Sequence, residues 1–325
     1  MFRYIVRRLL IGIPILVVSS AIVFFVVRNT IDPLAGAQLN PRVTQEDILR
    51  LRQDLGLDQP QWKQYTIWLA NFVRGDWGES LLAQRPVFPE IRSALVNTLF
   101  LGLVAILISL AIGVGIGVYS AVRQYSWFDH VSTGAAFLGL SIPNFWFALL
   151  LQVAFGIYVT RWLGLSESIF PVAGRNTPGT TGFHLLDILR HMVLPGTVLA
   201  VQIIAVYSRY MRASMLEVLH SDYLRTARAK GLRERRVIFR HAMRNALIPL
   251  TTQVALDFGA IAGGLIITEQ VFEWPGMGRL FVDSMFRGDY LIVLPWVMVT
   301  VTFVVAFNLI ADILYAVLDP RIRYA

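Results

Sequence analysis

The sequence predicts an all-α polytopic membrane protein with six transmembrane helices and a helical insertion after the first. Three observations carry this. Hydrophobic residues make up 56% of the chain and charged residues 15%, with a mean hydropathy of +0.59; a soluble domain runs to about half apolar and a quarter charged. The apolar residues are gathered into long runs, and a helix rising about 1.5 Å per residue needs roughly 20 of them to cross the hydrocarbon core. Basic residues cluster at the ends of alternate runs, as the positive-inside rule requires.

The first run is Leu9 to Val27, preceded by Arg3, Arg7 and Arg8. A cleaved signal has the same charge order but an apolar core of only about 7–15 residues and a small-residue cleavage site. This run is longer and no such site follows it, so it is read as an uncleaved helix with its N-terminus in the cytoplasm.

Asp32 to Arg92 is polar, mixed in charge and without a span. Thr44-Gln45-Glu46-Asp47 reads as a capping box, with Gly56 stopping the helix it starts. Asp58 is placed to cap a second helix, in which Trp62, Tyr65, Leu69, Phe72 and Val73 recur at helical spacing. Gly75-Asp76-Trp77-Gly78 then reads as a turn. This outer subdomain is either a cap packed on the membrane ends or a contact surface for an external partner, since large apolar faces must be covered by something. Both readings stay open.

Further spans are expected at Val96–Ala121, Val131–Thr160, His191–Ser214, Ala246–Thr268 and Tyr290–Leu318. Alternation puts Arg123, the segment Asp222–Pro249, and Arg321 and Arg323 in the cytoplasm. Asp32–Arg92, Arg161–Arg190 and Glu269–Asp289 then lie outside. Trp127, Trp162 and Trp296 fall near the interfaces where amphipathic rings settle. Gly113, Gly115 and Gly117, and Gly259 with Gly263, permit close helix approach. Pro143, Pro195 and Pro295 interrupt spans as packed kinks or cavity-lining breaks.

The net charge of +8 raises the question of nucleic acid. The basic residues sit at span ends and no RNA-binding motif accompanies them, so nucleic acid is not expected as a partner. Cysteine is absent, which rules out disulfides and thiol-ligated metals in this chain.

The stretch DYLRTARAKGLRERRVIFRHAMRNALIP, Asp222 to Pro249, holds eight Arg and Lys against the acids Asp222 and Glu234. Ser221 or Asp222 starts a short helix, with Tyr223, Leu224 and Ala227 on one face. Gly231 permits a sharp turn. A second helix from Arg233 carries Arg233, Arg236, Arg240 and Arg244 as one stripe, with Val237, Ile238, Phe239, Ala242 and Met243 giving apolar contact elsewhere. Orienting the chain needs only a few charges, so the organised helix–Gly–helix points to a partner: anionic lipid headgroups, or a protein cleft that receives the Tyr223, Leu224, Ala227 knob.

This stretch resembles the cytoplasmic "EAA" loop of ABC importer permeases, whose pattern is Glu-Ala-Ala, three residues, then Gly. Arg225-Thr226-Ala227, Arg228-Ala229-Lys230 and Gly231 occupy those places, departing at the first two positions as the dipeptide/oligopeptide branch does. The resemblance covers Ser208 to Pro249 and extends to MFRYIVRRLL, LGLDQPQWKQYTIWL, GDWGES and VFEWPGMGRLF. It is closest to the B-type permease, which carries a large insertion after its first helix. Ala94-Leu95-Val96-Asn97-Thr98 departs from the pattern, which has a Pro before the Thr.

The resemblance implies a type I ABC importer permease fold and a division of labour. The loop, 215–246, docks as a coupling helix on cytoplasmic ATPase subunits through Tyr223, Leu224, Arg225, Thr226, Ala227, Ala229 and Gly231. Two ATP-binding subunits or domains hold ATP-Mg, a second homologous permease completes the pathway, and an extracytoplasmic binding protein delivers dipeptides or oligopeptides. Membrane lipid surrounds the assembly, in a bacterial or archaeal plasma membrane, with both termini cytoplasmic. The chain divides into residues 1–29 (tail and first helix), 30–95 (insertion) and 96–325 (permease core). No cofactor is expected on this chain, which lacks a G-x-x-x-x-G-K-[ST] phosphate loop. Relatives of the branch that carry nickel chelates or other solutes leave the cargo open.

Asp257 lies inside the fifth expected span, where an ionisable group faces a cavity or a partner. It is read either as a wall of the pathway or as a helix–helix hydrogen bond. Asn144, Gln152, Gln202 and Asn308 are weaker pathway residues, more often packing glue than substrate ligands, and Asp312 reads as interfacial. Glu273-Trp274-Pro275-Gly276 is expected to be an outer turn with an exposed aromatic. Together with Trp62 and Trp77, Trp274 and Pro275 form the expected outer gate or binding-protein contact. A self-sufficient secondary carrier would account for the spans but not for the docking loop. An intramembrane enzyme is disfavoured: H-E-x-x-H and G-x-S-x-G are absent, and His184 and His191 lack an obvious nucleophile or metal partner in the sequence.

Overall fold

A computed structural model describes residues 2–30, 32–34, 43–54, 56–80, 85–180, 182 and 184–318. The regular elements among the described residues are all helical, apart from one isolated bridge between Glu79 and Pro86. Arg321 and Arg323 lie outside them.

Helix α1 (Phe2–Thr30) runs along α14 (Tyr290–Leu318), and Arg8 Nη1 meets Asp312 Oδ2 at 2.9 Å. Asp312 is thus an inter-helix anchor. At the other end, Phe24, Tyr290 and Leu294 form a buried cluster that receives Tyr65 and Trp68 from the insertion.

The insertion begins with the expected capping box at α2 (Gln45–Asp54). Thr44 Oγ1 accepts the Asp47 N–H at 3.2 Å and Asp47 Oδ2 accepts the Thr44 N–H at 3.0 Å. Helix α3 (Gln61–Arg74) has Pro60 at its N-cap and no side-chain cap; Asp58 lies two residues ahead of that position, and its carboxylate takes the Gln59 amide at 3.0 Å. The apolar face of α3 also differs from expectation. Tyr65, Trp68 and Phe72 turn inward, one to two helical turns apart, and Trp77 stacks on Phe72 with centroids 4.9 Å apart. Trp62 and Val73 fall on the solvent side of that stripe.

Helix α4 (Val87–Val122) starts nine residues before the expected Val96, immediately after Pro86. It pairs most extensively with α7 (Leu185–Leu219). The seam depends on Gly113 and Gly117: a methyl at Gly117 would lie 2.7 Å from Ser208 O, and one at Gly113 would lie 2.9 Å from Tyr207 Cβ. Gly115 faces away from the seam, with open space where a side chain would be.

The expected span Val131–Thr160 is two pieces. Helix α5 (Trp127–Ser141) ends where Pro143 both lacks an N–H and disfavours helix at Ile142. Helix α6 (Asn144–Val153) then continues through a π-helical stretch, Ala154–Val159, to Trp162.

After α7 come α8 (Asp222–Ala229), α9 (Glu234–Arg236), a second π-helical stretch (Val237–Ala242) and α10 (Met243–Ala246). Helix α11 (Ile248–Ile261) has 14 residues, a rise of about 21 Å, against the roughly 30 Å core. It breaks at Gly263-Gly264 before α12 (Ile266–Val271) and α13 (Met277–Arg287). Five helical segments among the described residues are long and apolar enough to cross a membrane: Val6–Thr30, Val87–Val122, Asn144–Trp162, Leu185–Leu219 and Tyr290–Leu314. The expected fifth crossing is the shorter, interrupted α11.

Candidate functional site

The basic loop is a built structure fixed to the membrane helices. Leu224 and Ala227 of α8 are buried with Val237, Ile238, Ala242 and Ala246, in one core with Tyr207, Met211 and Met215 of α7 and Val118 of α4. Tyr223 does not share their face. At about 100° per residue it points outward, 42% exposed, and its hydroxyl accepts the Asn245 amide at 2.8 Å. The knob expected from Tyr223, Leu224 and Ala227 is therefore divided. Leu224 and Ala227 anchor the helix, while Tyr223, Arg225, Thr226 and Ala229 present its outer face. Ser221 stands at the N-cap but donates its hydroxyl to Val218 O at 2.6 Å, leaving no side-chain cap.

Gly231 has φ +76°, and the expected turn is there. Arg228 Nη2 reaches Glu234 Oε1 at 2.9 Å across that turn, holding the Glu234 carboxyl below its ordinary range. The expected stripe of Arg233, Arg236, Arg240 and Arg244 is redistributed, because the π-helical turn alters the angular spacing. Arg233, Arg235, Arg236 and Arg240 line one open groove of about 770 Å³ with Leu232 and Phe239. Phe239 is exposed there rather than packed.

Beneath the loop, Asp129 is fixed by Arg212 through a two-pronged contact, Nε to Oδ1 at 2.6 Å and Nη2 to Oδ2 at 2.8 Å. The guanidinium holds the Asp129 carboxyl below its ordinary value.

Among the pathway residues, Asp257 is half-buried and both its oxygens are engaged. Tyr207 Oη donates to Oδ2 at 2.8 Å and Gln253 Nε2 to Oδ1 at 2.8 Å. This is the helix–helix hydrogen bond that the sequence left open. Gln202 Nε2 reaches Ile142 O at 3.5 Å, next to the Pro143 break, and Asn144 opens α6 on the far side of that break. Asn308 is exposed on α14. Gln152 bridges the Val172 and Val271 carbonyls, each at 2.8 Å, as packing glue does.

The outer turn departs most from expectation. Trp274 is 0% exposed, and its indole N–H donates to Asn97 O at 3.2 Å. Asn97 Nδ2 donates to Pro275 O at 2.8 Å, and the Met277 N–H donates to Thr98 Oγ1 at 2.7 Å. Glu269, also 0% exposed, joins this lock: it accepts the Thr98 hydroxyl at 2.7 Å, the Leu265 N–H at 3.2 Å and the Arg279 N–H at 3.1 Å. Burial pushes its carboxyl up against the pull of those bonds. Glu269 itself lies in α12, and its carboxylate meets the first turn of α13, where the positive end of that helix suits it. Gly276 makes the arrangement possible, since a methyl there would lie 2.5 Å from Thr98 Oγ1. Trp296 is likewise buried rather than interfacial, donating to Met277 O at 2.7 Å and stacking on Phe281. Pro275 is exposed, Trp77 is half-buried and Trp62 is 64% exposed. Of the four expected outer-contact residues, Trp274 is an internal anchor.

Glu269, Asn97, Thr98 and Tyr207 were not singled out as functional in the sequence. Thr98 and Glu269 stand 171 residues apart, so only their shared buried polarity hinted at them.

Residues 113–324 match the family model "Binding-protein-dependent transport system inner membrane component", and residues 1–98 match the model for the N-terminal part of such membrane components. The chain is 42% identical over its full length to the oligopeptide transport system permease protein AppB of Bacillus subtilis, covering all of that protein. It is 37% identical to the dipeptide transport system permease protein DppB of Escherichia coli, covering 100% of this chain and 99% of the other. It is also 37% identical to the Escherichia coli glutathione transport system permease protein GsiC, over the whole of both chains. An inward-facing structure of the MetNI methionine ABC transporter matches with a TM-score of 0.54 and 15% identity, over 70% of this chain and 96% of that one. The fold is that of an ABC importer permease.

Proposed function

Because the chain belongs to the family of binding-protein-dependent transport system inner-membrane components, we propose that it is the membrane-spanning subunit of an ATP-driven importer that carries dipeptides or oligopeptides into the cytoplasm. The observation that carries the reading is the basic loop. It offers Tyr223, Arg225, Thr226 and Ala229 outward on a short helix whose other face is sunk into the core of α4 and α7. A force applied to such a helix is passed to the membrane helices, as a coupling element requires.

In this reading ATP-Mg is bound by two partner subunits or domains that dock on the outer face of α8 within the loop 215–246, and Gly231 sets the angle of the docking helix. Leu224 and Ala227 transmit, and Tyr223, Arg225, Thr226 and Ala229 touch the partner. A second homologous permease faces this one across the pathway, with Asp257, Gln202, Asn144 and Asn308 on its walls. Both termini are cytoplasmic, by the charge asymmetry of the loops. Residues 1–29 form the tail and first helix, 30–95 the outer insertion and 96–325 the permease core. An extracytoplasmic peptide-binding protein is received by Trp62 and Trp77 of the insertion and by Pro275 of the outer turn; Trp274 stiffens the rim beneath.

The test is a gentle detergent extraction of the tagged chain from native membranes, with co-purifying proteins identified by mass spectrometry. A second permease and phosphate-loop ATPases are expected, with ATPase activity stimulated by the peptide-loaded binding protein. A homo-oligomer alone, reproduced under crosslinking, would overturn the reading in favour of a self-sufficient carrier.

A further inference from the structure

The groove beside the docking helix is lined by Arg233, Arg235, Arg236 and Arg240, with Gly231, Leu232 and Phe239, in a volume of about 770 Å³. No carboxylate lines it. The two acids of the segment are committed elsewhere: Asp222 faces Arg225 at 3.6 Å, and Glu234 holds Arg228 at 2.9 Å. Among the described residues, none of the four groove arginines has an acidic partner within ion-pair distance.

The groove is also rigid from behind. Val237, Ile238 and Ala242, on the same π-helical stretch as Phe239 and Arg240, are buried in the core under the loop. The arginine side therefore cannot fold inward to hide its charge, and Phe239 stays 56% exposed among the guanidiniums.

We propose that this groove is a binding site for the phosphate headgroup of an anionic membrane phospholipid. Guanidinium groups take phosphate oxygens two at a time, which makes Arg the residue of choice for such recognition. Basic clusters next to a membrane helix recognise anionic headgroups. The groove's position agrees: Arg240 precedes the membrane helix α11 by eight residues, about 12 Å of helical rise at most. Phe239 favours a lipid, because one molecule then supplies phosphate for the arginines and acyl chain for the ring. The inference goes beyond the importer reading and stands apart from the identity of the cargo.

The experiment uses the full chain with whatever subunits accompany it, in nanodiscs of phosphatidylcholine mixed with phosphatidylglycerol. Retained phosphatidylglycerol is measured by native mass spectrometry for the wild type and for the triple variant Arg235→Gln, Arg236→Gln, Arg240→Gln. Removing three guanidinium charges from the headgroup site is expected to weaken retention about a hundredfold. Equal retention in the two proteins would overturn the proposal. A second measurement needs no variant: photoreactive phosphatidylglycerol is expected to label residues 233–240 of the wild type whether or not ATPase subunits are present. Labelling that vanishes when those subunits bind, or a triple variant that keeps the lipid but sheds the subunits, assigns the groove to a protein partner and refutes the lipid site.

Discussion

Tyr207 of α7 and Asp257 of α11 meet through a 2.8 Å hydrogen bond inside the helix bundle, and Gln253 donates to the second carboxylate oxygen. Such bonds between membrane helices contribute about 0.6 kcal/mol on average and up to about 1.7. Asp257→Asn replaces an acceptor facing two donors by an amide that satisfies one. Loss of about 1 kcal/mol is expected, non-additive with Tyr207→Phe in a double-mutant cycle of detergent unfolding. Peptide uptake should also change in rate or preference while the chain still assembles. Additive stability effects would remove the hydrogen bond from the account, and unchanged uptake across several peptides would remove Asp257 from the pathway wall.

Gly231 holds φ +76° with open space where a side chain would be. Any penalty for substitution is therefore backbone strain, roughly 1–2 kcal/mol for a residue that resists the left-handed region. Gly231→Val should insert normally, hydrolyse ATP with its partners and lose most peptide uptake; Gly231→Asn should retain far more. Normal uptake by the Val protein would show that the turn's geometry does not set coupling.

Trp274 and Trp62 were expected to act alike and should behave oppositely. Trp274→Ala removes a fully buried indole and its bond to Asn97, costing about 3–5 kcal/mol by comparison with other buried aromatics. Trp62→Ala should leave the melting temperature unchanged within error, and reduce affinity for the peptide-loaded binding protein. Titrating that protein against the reconstituted complex reads the second effect, and thermal unfolding the first.

The Asp129–Arg212 contact gives a pH expectation. The folded carboxyl is held below its ordinary value by the guanidinium. Its contribution is thus fully present above the unfolded value near 3.9 and is lost as pH falls through the lower, folded value. Asp129→Asn should cost about 2–3 kcal/mol at neutral pH, discounted from a fully buried pair because Arg212 is partly exposed. It should also abolish this part of the acid dependence. Unfolding followed from neutral pH down to strongly acid pH, wild type against variant, measures both.

How far the sequence could be read depended on whether a feature was local. The Thr44–Asp47 box, the Gly231 turn and the close approach at Gly113 and Gly117 rest on residues near in sequence or on the size of one residue, and the structure has them. Of the two expected spans that proved discontinuous, the interruption at Pro143 was legible from its missing N–H, whereas the Gly263-Gly264 break was not, because mean apolarity is blind to it. The burial of Trp274 was illegible because its hydrogen-bond partner, Asn97, comes from a helix far back in the chain. Splitting Tyr223 from Leu224 and Ala227 needed the direction of the core, which an eight-residue helix does not reveal by itself.

The glycine seam has a mechanical meaning. At Gly113 and Gly117 the backbone of α4 lies so close to α7 that sliding one along the other by a single residue would drive side chains into main chain. The outer turn is keyed to the same α4 by Asn97 and Thr98, and the docking loop is sunk into both helices from the opposite end. Rim, shaft and handle are thereby one stiff part. In the proposed coupling role, a stroke applied at the handle would pass to the rim through that part, and the play that lets a pathway open would belong to the joints around it.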